Sequence, residues 1–344
     1  MTPASAGPRV GILGAGSIGA YVGAHLIVAG IDTILIGRPA LGAAVRAGGL
    51  RVTDYAGKDL RVGPERVRYA TDAAALADRD LVFVTVKSGA TAEAGAQLAG
   101  ALGEGATVVS LQNGVRNADA LARALPRARV LAGMVPYNVL WGEGAHFHAG
   151  TSGALAVERA GEASRAAVAA LRRAGLEAGE HPDLRGVLWG KLVLNLNNAV
   201  NALSGLTLRE ELSDRGYRRV LAALQREALA VLRRAGVRPR RSGRALPSLA
   251  PYALALPDAL FFRLAKGMIT IDPLARSSMW DDLERGRRTE IDQLNGEVVA
   301  LARSLGAAAP RNEAIVALVK AVEAGEAPRT WSAPALAARL GVAL

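Results

Sequence analysis

With 344 residues the chain is long enough for two domains, each with its own core. It contains no cysteine, which excludes disulfides, a cysteine nucleophile and thiolate metal sites, and fits a reducing, cytoplasmic location. The formal charge of +11 comes from arginines scattered along the sequence, with one dense cluster from Arg238 to Arg244, so it points to anionic small molecules rather than nucleic acid.

No apolar run reaches bilayer length, and residues 1–9 are short and mostly small or polar, so neither a membrane partner nor a signal peptide is expected. The spacing predicts a strand over 10–13, a helix over 17–29 and a second strand over 32–36. Residues 81–86 read as a wholly apolar strand ending at Lys87, 107–111 as another ending at Gln112-Asn113-Gly114, and 129–135 as a further one. Alternation of short β-rich runs with Ala-rich helical stretches is the pattern of βαβ units around a parallel sheet. Gly-punctuated alternation over 137–158 predicts antiparallel strands closing that sheet. Beyond His181 the apolar spacing turns helical over 187–203, 217–235, 252–264, 289–305 and 311–324, followed by a peripheral tail from Ala327.

Gly14-Ala15-Gly16-Ser17-Ile18-Gly19 follows the first strand and opens the first helix. In that context the first glycine permits a tight turn, the second lets a pyrophosphate approach the backbone, and the third allows close helix–strand packing. A dinucleotide is the expected ligand. An NAD site usually carries an acidic residue at the end of the second strand; here that position reads Ile36-Gly37-Arg38-Pro39, and Arg38 suits a 2′-phosphate. NADPH is therefore the expected cofactor. Lys87 and Asn113 stand at the carboxyl ends of two further strands, where ligands of open parallel sheets collect. The expected fold class is an α/β Rossmann-type NADP-binding domain over 1–184 followed by an all-α domain over 185–344 that holds substrate and catalytic groups. The Ala-rich helices of the second domain are the expected contact if the chain forms a homodimer.

Lysine is scarce: only Lys58, Lys87, Lys191, Lys266 and Lys320. Lys191 nevertheless lies within the apolar run Lys191-Leu-Val-Leu-Asn195-Leu-Asn197-Asn198. Two readings fit it, an ammonium snorkelling at a helix edge and a proton donor tuned by desolvation, which arginine cannot be. At 100° per residue Lys191, Asn195 and Asn198 fall within roughly 60° of one another, whereas Asn197 and Asn201 point elsewhere. Farther on come Arg276-Ser277-Ser278-Met279 and Thr289-Glu290-Ile291-Asp292, where Thr289 reads as a helix N-cap with Asp292 in the first turn. His146 and His148 share a strand face without a third ligand, so no metal is expected.

Together these motifs resemble the 2-dehydropantoate 2-reductase (ketopantoate reductase) family from Val10 to about Ala324. The matching pieces are the glycine motif, Arg38, Val-Lys87, Gln-Asn113-Gly114, Leu188-Trp-Gly-Lys191-Leu-Val-Leu-Asn195, Ser277-Ser278-Met279 and Thr289-Glu290-Ile291-Asp292. The resemblance implies hydride transfer from NADPH to the keto carbon of ketopantoate, giving pantoate for pantothenate and coenzyme A synthesis. It makes Lys191 the general acid, Glu290 its orienting partner, Asn195 a substrate hydrogen-bond donor and Ser278 the holder of the carboxylate. Lys87 and Asn113 would line the nicotinamide side, Asn113 also within reach of substrate. The family usually has a second substrate-binding Asn where this chain has Ala199, and Asn198 is the candidate replacement. Arg116 stands where many relatives have glycine. Both departures leave open a reductase of another 2-keto acid. A noncatalytic NADPH-binding regulator is the alternative class, and it has no use for a retained Lys191, Glu290 and Ser278.

Overall fold

The computed structural model describes residues 7–241, 246–265 and 275–344, so Lys266 and Arg244 lie outside the described residues. The chain divides into two compact units, one running to Leu184 and one from Arg185 to Leu344.

The strands of the first unit are β1 (Val10–Leu13), β2 (Thr33–Ile36), β3 (Leu50–Asp54), β4 (Asp59–Val62), β5 (Arg68–Ala70), β6 (Leu81–Val84), β7 (Thr107–Ser110), β8 (Arg129–Met134), β9 (Val139–Trp141), β10 (His146–Ala149), β11 (Leu155–Glu158) and β12 (Ala178–His181). Eight of them form one sheet in the order β12-β11-β8-β7-β6-β1-β2-β5. From β5 through to β8 every neighbouring pair is parallel, as expected of strands whose apolar runs are buried on both faces. The two faces follow the period of the strand. Val10, Ile12, Leu35, Phe83 and Val109 enter one core cluster. Leu13, Ile34, Ile36, Val82, Val84 and Val108 enter the other. Helices α1 (Ser17–Val28), α2 (Pro39–Gly48), α3 (Thr91–Ala101), α4 (Asn117–Ala124) and α5 (Glu162–Arg173) accompany these strands. Buried residues of α1 and α5 complete the first cluster, and Ala94, Leu98 and Leu121 from α3 and α4 complete the second.

The expectation for 137–158 needs correcting. Only β11 closes the large sheet, antiparallel to β8, with β12 parallel beyond it. Strands β9 and β10 leave for a second sheet of order β4-β3-β10-β9, in which β10 runs parallel to β3 and antiparallel to β9. Period-2 alternation marks a strand with one buried face, but it says nothing of which sheet buries that face.

Among the described residues the second unit is wholly helical: α6 (Leu184–Asn195), α7 (Asn197–Ser204), α8 (Leu208–Ser213), α9 (Arg215–Arg234), α10 (Ala250–Leu254), α11 (Asp258–Ala265), α12 (Ser278–Glu284), α13 (Asn295–Ser304), α14 (Pro310–Glu323) and α15 (Ala333–Arg339). The hub is α9, whose Tyr217, Val220, Leu221, Leu224, Ala228, Val231 and Leu232 are buried at helical spacing. Helices α7, α8, α10, α13, α14 and α15 all pack against it. The tail is not peripheral as the sequence suggested. Trp331 N donates to Leu203 O at 2.7 Å, Tyr217 Oη donates to Trp331 O at 2.7 Å, and Leu336 of α15 is fully buried. Ala-rich segments hide such anchoring because their burial leaves little hydrophobic contrast in the sequence. Among the described residues no helix is long and apolar enough to cross a membrane.

Candidate active site

The glycine turn is built at the carboxyl end of β1. Gly14 and Ala15 both donate their N–H to Ile36 O, at 2.9 and 2.8 Å, which ties the turn to β2. Gly14 has φ +100°, and a Cβ there would lie 2.6 Å from Val86 N, so both conformation and space require glycine. A Cβ on Gly19 would meet Gly14 O and Thr85 Oγ1 at 2.5 Å, so the helix sits against the turn only because this residue has no side chain. A Cβ on Gly16 would meet nothing closer than 3.9 Å. Gly16 is also the N-cap of α1, without a side-chain cap and without an acid in the first turn. An open, uncapped helix start beside partly exposed Ser17 and Ile18 suits an anionic phosphate. Thr85 Oγ1 donates to Gly14 O at 2.7 Å and links this turn to the end of β6.

Arg38 is the exposed N-cap of α2, just past β2. Its carbonyl accepts from Tyr69 Oη at 2.8 Å. Both Arg38 and Arg46 act electrostatically on the Tyr69 hydroxyl, whose pKa is raised by burial in spite of them. Arg46 is thus a second cation at this edge that the sequence reading passed over, because about two helical turns past Arg38 it looks like any surface arginine.

Lys87 is exposed at the end of β6. The loop after β7 is fixed by a buried polar chain. Ser88 Oγ donates to Asn113 O at 2.7 Å, and Asn117 Nδ2 donates to the same carbonyl at 2.5 Å. Thr91 Oγ1 donates to Asn117 Oδ1 at 2.8 Å, and Gln112 Nε2 donates to Thr91 Oγ1 at 2.8 Å. Asn113 is therefore held by its own backbone, with its side chain partly exposed. Arg116 is exposed at the N-cap of α4.

In the second unit the helix expected over 187–203 is two helices interrupted at Leu196. Gln225 Nε2, from α9, takes the Val193 carbonyl at 3.2 Å, a side-chain insertion of the kind that breaks a helical ladder. Lys191 and Asn195 share α6, and Asn198 falls in the first turn of α7, so the single-helix argument carries as far as Asn195. Burial pulls the partly buried Lys191 ammonium down to about 8, and the Glu290 carboxylate acts in the opposite sense. Glu290 lies in a turn that precedes α13, because the helix expected from Thr289 begins at Asn295. Thr289 Oγ1 still accepts from Ile291 N at 3.2 Å. Asp292 faces Lys320 at 2.7 Å, which separates the two acids: one closes an ion pair with Lys320, the other acts electrostatically on Lys191.

Asn197 and Asn201, which the sequence reading turned away from this face, bond Glu211 Oε2 at 3.3 and 3.0 Å. Glu211 is fully buried, and burial pushes its carboxyl up to about 8 against those two amides. Asn201 Oδ1 accepts from Ser277 N at 2.8 Å. Ser277, the N-cap of α12, donates from Oγ to Asn198 O at 3.1 Å, and Ser278 follows it with an exposed side chain. Ala199 is fully buried, so position 199 offers no polar group, and Asn198 beside it remains partly exposed. His146 Nε2 and His148 Nδ1 both bond Thr53 Oγ1 at 2.8 Å. Among the described residues no cluster of three metal-ligating side chains occurs.

Comparison with known proteins agrees with this arrangement. Residues 10–162 match the model of the ketopantoate reductase PanE/ApbA family, and residues 183–323 match its C-terminal model. The chain is 31% identical over 322 residues to the 2-dehydropantoate 2-reductase of Archaeoglobus fulgidus, covering 92% of this chain and 98% of that one. It is 31% identical over 349 residues to the enzyme of the same name from Mesorhizobium japonicum, with 92% and 99% covered. A solved PanE/ApbA family ketopantoate reductase from Ralstonia eutropha superposes with a TM-score of 0.79 at 34% identity, covering 92% and 99% of the two chains. With both family models matched in order and a dinucleotide turn ahead of a helical unit that carries a desolvated lysine, the chain belongs to the ketopantoate reductase family of oxidoreductases.

Proposed function

We propose that the protein reduces ketopantoate to pantoate with NADPH, in pantothenate and coenzyme A synthesis, and that Lys191 is the general acid. The observation that carries this reading is Lys191 itself: an ammonium depressed to about 8 by burial, with Glu290 acting on it. Relatives named 2-dehydropantoate 2-reductase, matched over nearly their whole length, support the substrate. A reduced nicotinamide, when bound, supplies the hydride.

The residues fit that cofactor. The open Gly16 cradle and the uncapped start of α1 would take the pyrophosphate, and Arg38, with Arg46 near it, the 2′-phosphate. No carboxylate stands at the end of β2, which reads Ile36-Gly37-Arg38-Pro39, and Asp32, ahead of its start, is paired with Arg68 and Arg79. Lys87 and Asn113 would face the nicotinamide end.

In the second unit Asn195 and Asn198 would donate to the substrate, and Ser278 would hold its carboxylate. Hydride addition builds negative charge on the keto oxygen. A protonated Lys191 Nζ meets that charge and then transfers its proton, and a pKa near the working pH makes both steps accessible. Glu290 keeps the ammonium charged enough to act. These residues form the catalytic and substrate-binding unit, and the first unit the NADP-binding one.

The test is NADPH oxidation by purified protein with ketopantoate beside other 2-keto acids. Selective turnover of ketopantoate is expected. Turnover of a different acid alone would preserve the chemistry and assign the buried Ala199 and the exposed Arg116 to a changed specificity. Binding of NADPH with no turnover of any acid would refute the enzymatic reading in favour of a regulator.

A further inference from the structure

The substrate-holding groups proposed above lie on separate stretches of the second unit, Asn198 in α7 and Ser278 at the start of α12. Their spacing is set by contacts that none of them makes as a ligand. The segment 275–277 is stitched to the α7–α8 region at four points. Leu208 N donates to Ala275 O at 2.9 Å, and Arg276 Nη1 donates to Gly205 O at 2.7 Å. Ser277 N donates to Asn201 Oδ1 at 2.8 Å, and Ser277 Oγ donates to Asn198 O at 3.1 Å.

At the centre is Asn201, which has no exposed surface. Its Nδ2 donates to Leu206 O at 3.1 Å and to Glu211 Oε2 at 3.0 Å. With both donor contacts taken by oxygens, the amide cannot flip without setting its NH₂ against the Ser277 N–H. Glu211 is gripped a second time by Asn197 Nδ2. Burial favours its neutral form, so the carboxyl acts here as a hydrogen-bonding group rather than an ion.

Resting on the reading given under Proposed function, we propose that Asn201 is a positioning residue: clamped by Glu211 and Leu206, its amide oxygen fixes Ser277 and thereby the distance between the two substrate-holding groups, Asn198 and Ser278. A displacement of about 1 Å at such a contact is enough to lower turnover efficiency by orders of magnitude. The loss should fall on substrate binding, because Lys191 and the cofactor turn lie outside this network.

The experiment compares Asn201→Ala, Glu211→Leu and Glu211→Gln in the full chain, using whichever 2-keto acid the unaltered protein turns over. In Asn201→Ala the KM for the keto acid should rise about tenfold or more, with kcat within about threefold and NADPH affinity unchanged. Amide hydrogen exchange in a peptide spanning 275–282 should accelerate. Glu211→Leu nearly keeps the volume and leaves Asn201 its bond to Leu206, so it is expected to fold even if Asn201→Ala does not, and should raise KM in the same direction. Glu211→Gln preserves an acceptor for both amides and should keep KM near that of the parent. Lowered thermal stability with an unchanged KM in a folded Asn201→Ala or Glu211→Leu protein would make the network merely structural and overturn the proposal. A parent protein inactive on every 2-keto acid would overturn it together with the reading it rests on, an outcome distinct from the first.

Discussion

If Lys191 is the proton donor, keto acid reduction must fail as its ammonium deprotonates. With a pKa of about 8, roughly nine-tenths of the enzyme is protonated at pH 7 and roughly one-tenth at pH 9, so kcat/KM should fall about tenfold across that interval with a limiting slope of one. The reverse oxidation needs the neutral amine and should rise over the same interval. Glu290 acts to raise the Lys191 pKa, so Glu290→Gln should move the alkaline limb to lower pH, by on the order of one unit. Glu211 titrates in the same range, and Glu211→Gln, which cannot titrate, must therefore keep the limb. Lys191→Arg should be nearly inactive and show no limb near 8, because a guanidinium does not release its proton there. Initial rates from pH 6 to 10 in a constant-ionic-strength buffer would check this. A profile flat to pH 9.5, or a limb that ignores Glu290→Gln, would refute the assignment.

Other consequences follow from the same structure. The folded-state pKa of Glu211 lies above its ordinary 4.5, so ionisation costs stability progressively between about pH 4.5 and 8; Glu211→Gln should gain stability over the parent as pH rises through that window, reaching a few kcal/mol by pH 9 and little at pH 4, as read by thermal melts. The folded-state pKa of Lys191 lies below its ordinary 10.5, so its penalty is complete below about pH 8 and relieved by 10.5; Lys191→Met should be inactive yet more stable at pH 7 by on the order of 1–3 kcal/mol. Arg38→Glu should lower kcat/KM for NADPH by about tenfold or more while sparing NADH, and equal losses with both would remove Arg38 from the phosphate site. Arg218→Met should destabilise the second unit by about 1–3 kcal/mol in denaturant titrations, since it leaves the carbonyls of Leu212, Ser213 and Leu254 without their donor, while the exposed Asp258 carboxylate returns to water.

The parallel sheet was legible because its strands are buried on both faces and so appear as unbroken apolar runs such as Leu81-Val-Phe-Val84. The glycine turn was legible because Gly14 and Gly19 are demanded by positive φ and by close approach, constraints that act locally. Lys191 stood out by rarity and by its apolar neighbours. What stayed hidden depends on partners distant in sequence. The break at Leu196 is made by Gln225, the second sheet by the meeting of residues 50–62 with 139–149, and the Asn201 node by Ser277, seventy-six positions away. The Thr207-Leu-Arg-Glu210 capping box, by contrast, is a local signal for α8 that the sequence itself carries.

Arginine and lysine divide the buried cationic work of the second unit along chemical lines. Arg218, with no exposed surface, donates to the carbonyls of Leu212, Ser213, Leu254 and Leu256, pairs with Asp258, and lies 4.2 Å over the Phe261 ring. Such a post needs a permanent charge with several donors in a fixed plane, and its stability would suffer if the cation could titrate. As the proposed proton donor, Lys191 would need the opposite: a charge that burial makes easy to surrender, with Glu290 acting to hold it. On that proposal, in a sequence that otherwise favours arginine, lysine at 191 is a chemical requirement rather than a compositional remainder. The two conservative exchanges should accordingly differ in kind. Arg218→Lys removes most of the donors and should lower stability with the pH profile intact, whereas Lys191→Arg should leave the fold standing and abolish reduction.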